Sequence, residues 1–309
     1  MKAPARSLAA LLTGLTFSLA AETDILCTTL PVTALTNAVV QNVPGFKVTR
    51  MLSSTIGCPH DYALTPQDMR KLAKADVIVI NGLGMEDFLN GAIPRVNRKA
   101  LLLDSSKGAK GVLHSREHRT EACTDPSHNH HHTHGSAWNE HLFSAPGTAA
   151  EVVKRIAAEL SRKYPADAAV FQQNAARYSA ELLKLDREYR AFGRSIPAGR
   201  RNIAVQHGIF DYIASITGLH VTEYLQSHTG SEPSAAQLRG MIALLKQQKV
   251  AVILAEKGYP SKVTDLISRE TGIPVVVLSV YPADQSADPA KFLSVFRDNL
   301  NLLKAFYGK

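Results

Sequence analysis

The sequence predicts an α/β protein of two lobes, each a parallel β-sheet flanked by helices, joined by one long rigid helix. Short apolar runs alternate with amphipathic helical segments in the first half of the chain, and the same alternation returns in the second half. This alternation is typical of parallel sheets with helices on both faces. Between the halves, residues 166–194 carry an uninterrupted helical pattern bounded by Pro165 and Pro197. With 309 residues, the chain also has the length of about two domains.

The first half supplies four predicted strands, at residues 24–30, 47–52, 77–80 and 101–103. Pro31 ends the first strand, and a helix is predicted over residues 32–41. A second helix begins at Thr65-Pro66-Gln67-Asp68 and continues through residues 69–74. A capping hydroxyl, a proline in the first turn and an early acidic residue together indicate a helix start.

Residues 107–138 interrupt the alternation. They are rich in His, Ser, Thr, Gly and Asp and offer few apolar positions to bury, so we expect a functional or disordered loop. A helix over residues 148–163 follows, and then the long helix, whose roughly 29 residues would form a rod of about 40 Å. Its apolar residues form one stripe, as expected for a helix with a single buried face: Val170, Phe171, Tyr178, Leu182, Leu185, Tyr189 and Phe192.

The second half repeats the pattern of the first. Strands are predicted at residues 202–205, 250–254 and 274–278, and helices at 210–217, 234–247, 261–271 and 289–306. We therefore expect an N-terminal lobe over residues 21–165 that includes the 107–138 loop, a linking helix over 166–195, and a C-terminal lobe over 196–309.

The first 20 residues have the features of a secretory signal peptide. Lys2 and Arg6 precede an apolar run over residues 8–20, and Ser18 and Ala20 are the small residues that cleavage after Ala20 would need. The run is too short to cross a bilayer as a helix. We therefore expect an exported, periplasmic protein.

The charge and the cysteine content bear on possible partners and on possible disulfides. The chain has 35 basic and 27 acidic residues, but the excess is diffuse and forms no basic run, so no nucleic-acid partner is expected. Three cysteines follow the leader: Cys27, Cys58 and Cys123. Export permits a disulfide, and Cys27 and Cys58 both lie at or just beyond predicted strands, so paired and free states both remain open.

Histidine is the unusual residue in the composition. Seven of the 12 histidines fall within residues 114–134. Five of them make a histidine tract, which has the composition of a metal-binding segment: His128, His130, His131, His132 and His134. One interpretation is a polar loop that binds metal only because of its composition. The other is a collector that raises the local metal concentration or senses an excess; Cys123 would then be an additional soft ligand.

Isolated polar residues also follow the predicted strands of both lobes. His60 comes a short turn after the second strand, His207 follows the strand at 202–205, Glu256 follows the one at 250–254, and Ser279 ends the one at 274–278. His141 lies between the histidine-rich loop and the next helix. Open α/β sheets bind ligands beyond the carboxyl ends of their strands. A metal ion held by His60, His141 and His207 would lie in the cleft between the lobes. The alternative from spacing alone is that each of the three is a surface or hydrogen-bonded histidine.

Several segments resemble those of one family, the metal-binding solute-binding proteins of ABC transporters, and the zinc type most closely. Pro59-His60-Asp61-Tyr62 with Thr65-Pro66 is similar to the family's Pro-His-x-Tyr-x-x-Thr-Pro segment. Asn81-Gly82-Leu83-Gly84-Met85-Glu86 resembles its Asn-Gly-x-Gly-x-Glu turn. The segments around His141 and His207, and Glu232-Pro233-Ser234, resemble further family segments in the same order. The resemblance runs from about Asp24 to the C-terminus.

The resemblance implies a fold, a cargo and a partner. It implies a periplasmic protein that captures Zn²⁺ in the interlobe cleft through His60, His141, His207 and a carboxylate, and delivers it to a membrane ABC permease as a monomer. Ser279 stands where the family has an Asp ligand, and Asn139-Glu140 and Phe143 also depart from its pattern. Glu256 is the expected fourth ligand or a residue supporting the ligands; water and Asp284 are the alternatives.

Three other functions remain open from the sequence. The first is a zinc buffer or metallochaperone without a permease, and the second is a manganese or iron importer. The loss of a carboxylate argues against manganese, which prefers oxygen-rich sites. The third belongs to a different class, an enzyme in which three histidines hold a catalytic zinc and Glu256 acts as base. No His-Glu-x-x-His helix motif supports that class, so we expect no enzyme.

Overall fold

The computed structural model describes residues 22–53, 62–116, 137–226 and 233–308. The first sheet has strand order β2-β1-β3-β4, and every pairing in it is parallel. Its elements in chain order are β1 (Thr23–Cys27), α1 (Leu30–Val40), β2 (Phe46–Arg50), α2 (Pro66–Lys74), β3 (Val77–Ile80), α3 (Ala92–Val96) and β4 (Leu101–Asp104).

Two helices and a second sheet follow, and this sheet has the same internal order as the first. Its strands run β6-β5-β7-β8, again in parallel. The elements are α4 (Pro146–Lys163), α5 (Ala168–Ser195), β5 (Asn202–Val205), α6 (Asp211–Thr217), β6 (His220–Tyr224), α7 (Ala235–Gln247), β7 (Val252–Glu256), α8 (Lys262–Thr271), β8 (Val275–Leu278) and α9 (Pro289–Tyr307). The predicted fold class, two parallel sheets flanked by helices with a long helix between the lobes, is confirmed.

Local sequence signals set several helix ends. The Thr65 hydroxyl accepts the Asp68 backbone N–H, and the Asp68 carboxylate accepts the Thr65 N–H, so the predicted start of α2 is a capping box. Ser234 and Gln237 form the same reciprocal pair at the start of α7. At the other end, α6 stops at Gly218, whose left-handed backbone closes the helix.

Helix α5 ties the two lobes together. Its 28 residues correspond to about 42 Å of helix. On the N-terminal side, Asn174 Nδ2 donates to the carbonyl of Val39, which is in α1, at 2.9 Å. On the C-terminal side, the Tyr178 hydroxyl donates to Pro289 O at 2.8 Å and the Tyr189 hydroxyl to Phe296 O at 2.7 Å, both in α9. One hydrophobic core cluster includes residues of both lobes and of this helix.

The structure corrects some predicted elements. β1 ends at Cys27, and Leu30 is the first residue of α1 because Thr29 takes the extended cap position. The sequence prediction missed β6, an edge strand that is half-buried and begins at the exposed His220, and α3, a five-residue helix with a proline in it. β7 runs from Val252 to Glu256, so both of its ends lie two residues later than predicted.

Cys27 is buried and forms no disulfide with another residue of the described ranges. Burial raises the pKa of the Cys27 thiol to about 12, which disfavours the thiolate that disulfide exchange requires. Cys58 and Cys123 lie outside the described residues, as does the expected signal peptide.

Among the helices that the structure describes, none combines the length and the apolar character needed to cross a membrane.

Candidate metal centre

His207 and Glu256 meet at the carboxyl edge of the second sheet. β5 and β7 are adjacent and parallel, with Val205 opposite Leu254. His207 follows β5 by two residues and Glu256 ends β7, so the register places both side chains at one edge. His207 Nε2 lies 2.7 Å from Glu256 Oε2, and the two side chains are only 6% and 10% exposed. The pair therefore offers a metal ion one imidazole nitrogen and one carboxylate oxygen, both nearly buried.

Gln206 and Tyr259 hold this pair in place. Gln206 is fully buried, and its Oε1 accepts the Glu256 backbone N–H at 2.9 Å. Its Nε2 donates to Pro260 O at 2.6 Å, beyond the end of β7. The Tyr259 ring stacks on the His207 imidazole, with 4.7 Å between ring centroids and 27° between planes. The sheet edge therefore fixes both partners of the His207–Glu256 contact.

His141 reaches the same place from the segment before α4. It precedes a short 3₁₀ turn, Leu142–Ser144, and is buried. Its imidazole centroid is 5.6 Å from that of His207, at 64° between the ring planes. Asn139 Oδ1 accepts the His141 backbone N–H at 2.9 Å and lies 3.0 Å from His141 Nδ1. The two histidines that the sequence assigned to a shared site are thus neighbours.

The turn from Asn81 to Glu86 is hydrogen-bonded to the segment that carries His141. Asn81 Nδ2 donates to the carbonyl of Glu140, the residue before His141, at 2.8 Å. Glu86 is buried and accepts the Thr28 hydroxyl and the backbone N–H groups of Asn81 and Gly82. Burial raises the pKa of Glu86 to about 7, against the opposing effect of those three hydrogen bonds.

Two other residues considered from the sequence have different surroundings. Ser279 is held by its backbone, which donates to Asn299 Oδ1 at 2.9 Å and accepts from Asn299 Nδ2 at 2.7 Å. It lines a small cavity with Phe143, Phe210 and others, but a serine there provides no carboxylate. Asp284 is about half exposed and pairs with Lys291.

The remaining predicted ligands lie outside the described residues: His60, His128, His130, His131, His132 and His134. Within the described ranges, no three His, Cys, Asp or Glu side chains are placed so as to enclose a metal ion. His141, His207 and Glu256 therefore form an incomplete donor set. His114 is described, and its imidazole stacks on the Trp138 ring at 4.0 Å between centroids. The Trp138 side chain is 41% exposed.

Sequence reasoning missed the residues that orient the donors. Nothing in the local sequence distinguishes Asn139, Gln206 or Tyr259 as residues that orient ligands. Each adjoins a candidate ligand in sequence or follows the same strand, but their hydrogen bonds and ring contacts join segments far apart in the chain. These residues come together only in the three-dimensional fold.

Comparison with known proteins places the chain in a family. Residues 25–306 match the family model described as zinc-uptake complex component A, periplasmic. The zinc-binding protein AdcA of Streptococcus pyogenes serotype M3 is 28% identical over 255 residues, covering 80% of this chain and 49% of AdcA. This chain thus spans about half the length of AdcA. The high-affinity zinc uptake system protein ZnuA of Bacillus subtilis is 28% identical over 250 residues, covering 80% of this chain and 76% of that protein.

A solved structure agrees at the level of the fold. The solute-binding protein FpvC of Pseudomonas aeruginosa, in complex with Ni²⁺, superposes with a TM-score of 0.76 at 24% identity, covering 93% of this chain and 97% of FpvC. The family model covers most of the chain from β1 to α9. This chain belongs to the family of periplasmic zinc-uptake components.

Proposed function

We propose that the protein captures Zn²⁺ between its two lobes and delivers it to a membrane ABC permease for import. The ligands in this proposal are His60, His141, His207 and Glu256. The supporting observation is the approach of His141 to the buried His207–Glu256 pair, because two imidazoles and a carboxylate come from segments far apart in sequence. Family membership and the zinc-binding relatives support the same cargo.

The donor chemistry favours zinc. Zinc takes imidazole nitrogen and carboxylate oxygen in tetrahedral geometry at about 2.0–2.2 Å. Manganese prefers more oxygen ligands, and Ser279 stands where a second carboxylate would be expected. Glu256 is the better fourth ligand than Asp284, since Glu256 already contacts His207 whereas Asp284 is exposed and pairs with Lys291.

Zinc would replace a proton at this site. His207 Nε2 and Glu256 Oε2 at 2.7 Å share one hydrogen bond in the metal-free protein. A metal that takes both atoms as ligands must displace the proton between them, because a ligand nitrogen must offer a lone pair. A neutral His207 would then carry its proton on Nδ1 and offer the lone pair of Nε2 to the metal.

The location and the partner belong to the same proposal. The family description supports the periplasm, and residues 1–20 would be the export signal. A monomeric protein with an N-terminal lobe over 21–165, a linking helix over 166–195 and a C-terminal lobe over 196–309 would present its loaded cleft to the permease.

The histidine tract has a secondary role in this proposal. His128, His130, His131, His132 and His134 would bind zinc more weakly than the cleft and raise its concentration nearby. Their place in the sequence supports this role, because the loop leads back through Asn139 to His141 within a few residues.

The test is zinc affinity measured by competition with a chelator on the full chain. Outer partners of zinc ligands typically contribute 10–100-fold to affinity, so removal of a ligand in Glu256→Gln or His141→Ala should weaken binding by about tenfold or more. Asp284→Asn removes a similar charge from an exposed position, and His220→Ala removes an exposed imidazole. Both control variants should bind zinc like the wild type.

Equal loss in a control and in its matched site variant would contradict the proposed ligands. Zinc-dependent growth of cells lacking the gene separates import from buffering. Rescue by the wild type but not by Glu256→Gln supports import, and equal growth with or without the gene favours a buffer. Hydrolase or hydratase activity lost in His141→Ala would instead favour the zinc-enzyme alternative.

A further inference from the structure

Asn139 links His141 to the turn that follows His207. It is 3% exposed and comes from the segment that pairs with Leu113, whose carbonyl accepts the Asn139 N–H at 2.8 Å. Its side chain contacts His141 on one side. On the other side it reaches the turn that follows His207, through Gly208 and Asp211.

The hydrogen bonds fix which way the Asn139 amide points. Asn139 Nδ2 lies 2.9 Å from Gly208 O, and a carbonyl oxygen only accepts. It also lies 3.1 Å from Asp211 Oδ2, an oxygen that accepts the Tyr224 hydroxyl at 3.1 Å as well. The amide nitrogen must therefore face Gly208 and Asp211, and the amide oxygen must face His141.

The orientation of the amide in turn selects the tautomer of His141. Asn139 Oδ1 has no proton to give, and it lies 3.0 Å from His141 Nδ1. Nδ1 must therefore be the protonated nitrogen and the donor. A neutral imidazole with its proton on Nδ1 has its lone pair on Nε2, so Nε2 is the nitrogen able to coordinate a metal.

We infer that Asn139 is a positioning residue of the metal centre, which holds His141 in the Nδ1–H tautomer and so presents Nε2 to the zinc ion. The inference rests on the proposed function. Ligating histidines are commonly oriented in this way by an oxygen acceptor behind the ring. In this chain the acceptor is an amide, whose nitrogen in turn is fixed by the backbone just beyond His207.

Three variants distinguish a role of Asn139 in positioning His141 from a role in protein stability alone. Asn139→Leu removes the acceptor behind His141. Asn139→Asp keeps an oxygen acceptor there but loses the donor to Gly208. Tyr212→Phe removes a hydroxyl that donates to Asn139 O at 2.6 Å and accepts the Leu113 N–H, without changing the side chain behind His141.

The measurement is zinc affinity by chelator competition on the full chain, with thermal unfolding measured alongside. We expect Asn139→Leu to bind zinc about 10–100-fold more weakly. Asn139→Asp and Tyr212→Phe should be less stable but bind within about threefold of the wild type. Wild-type affinity in Asn139→Leu, or equal losses in all three variants, would overturn the inference.

Nitrogen-15 NMR of the imidazoles in the metal-free wild type gives a readout that does not depend on the Leu variant folding. The His141 ring should be protonated at Nδ1, and a proton on Nε2 would overturn the inference. His207→Ala serves as the reference variant. If both His207→Ala and Asn139→Leu bind zinc like the wild type, the proposed function is wrong. If His207→Ala loses zinc and Asn139→Leu does not, only the role of Asn139 is wrong.

Discussion

Glu86 is a buried carboxylate beneath the segment that carries His141. Its pKa is raised by burial from the usual 4.5 to about 7. Between these pH values the folded protein retains a proton that the unfolded chain has released. The free energy of unfolding should therefore fall as the pH rises from about 4.5 to 7, by at most roughly 3 kcal/mol from this group.

The variant Glu86→Gln should lack this fall, because its side chain does not ionise. Chemical unfolding of the wild type and of the variant at several pH values between 4.5 and 8 measures the difference. Glu270→Gln, at an exposed position at the end of α8, is the control and should track the wild type. A Glu86→Gln variant whose stability falls as steeply as that of the wild type would show that Glu86 stays ionised throughout.

At the scale of secondary-structure elements, the contact of α5 with α6 depends on Gly193. A Cβ at this position would lie 2.3 Å from the Thr217 carbonyl oxygen and 2.6 Å from Thr217 Cα, which are backbone atoms that cannot rotate away. Gly193→Ala should therefore force the helices apart and destabilise the protein by about 1–3 kcal/mol.

Gly240 provides the matched control, since it also lies within a helix, α7, but a Cβ there would meet nothing within 4 Å. Gly240→Ala should stabilise the protein by about 0.5–1 kcal/mol, because alanine loses less backbone freedom on folding. Thermal unfolding of the two variants tests the pair. An unchanged stability in Gly193→Ala would mean that the α5–α6 contact is looser than the 2.3 Å approach to Thr217 implies.

At the scale of the whole molecule, several hydrogen bonds between the lobes limit their relative motion. Beyond those of α5, Asn37 of α1 donates to Ala287 O at 2.9 Å and Arg50 to Gln285 O at 3.3 Å, just before α9. We therefore expect zinc to be gained and released through local shifts of the segments around the site. Small-angle scattering should show a radius of gyration that changes by less than about 1 Å on zinc addition. A larger contraction would indicate domain closure.

The sequence predicted the repeated strand–helix pattern well, because buried parallel strands are short, continuous apolar runs. β6 was harder to predict since His220 to Tyr224 form a half-buried edge strand without such a run. For the site, polar residues at strand ends predicted His207 and Glu256 as candidates. Their 2.7 Å contact depends on strand register, and the role of Asn139 depends on a bond between lobes, which local sequence does not specify.

The central claim is that the cleft, and not the histidine tract, holds the tightly bound zinc ion. The most direct test measures zinc affinity by chelator competition on three full-length proteins: the wild type, His207→Ala, and a variant with all five tract histidines changed to Asn. We expect the tract variant to keep a tight site and His207→Ala to lose it. Tight binding that survives in His207→Ala and disappears with the tract histidines would instead place the tightly bound zinc ion on the tract.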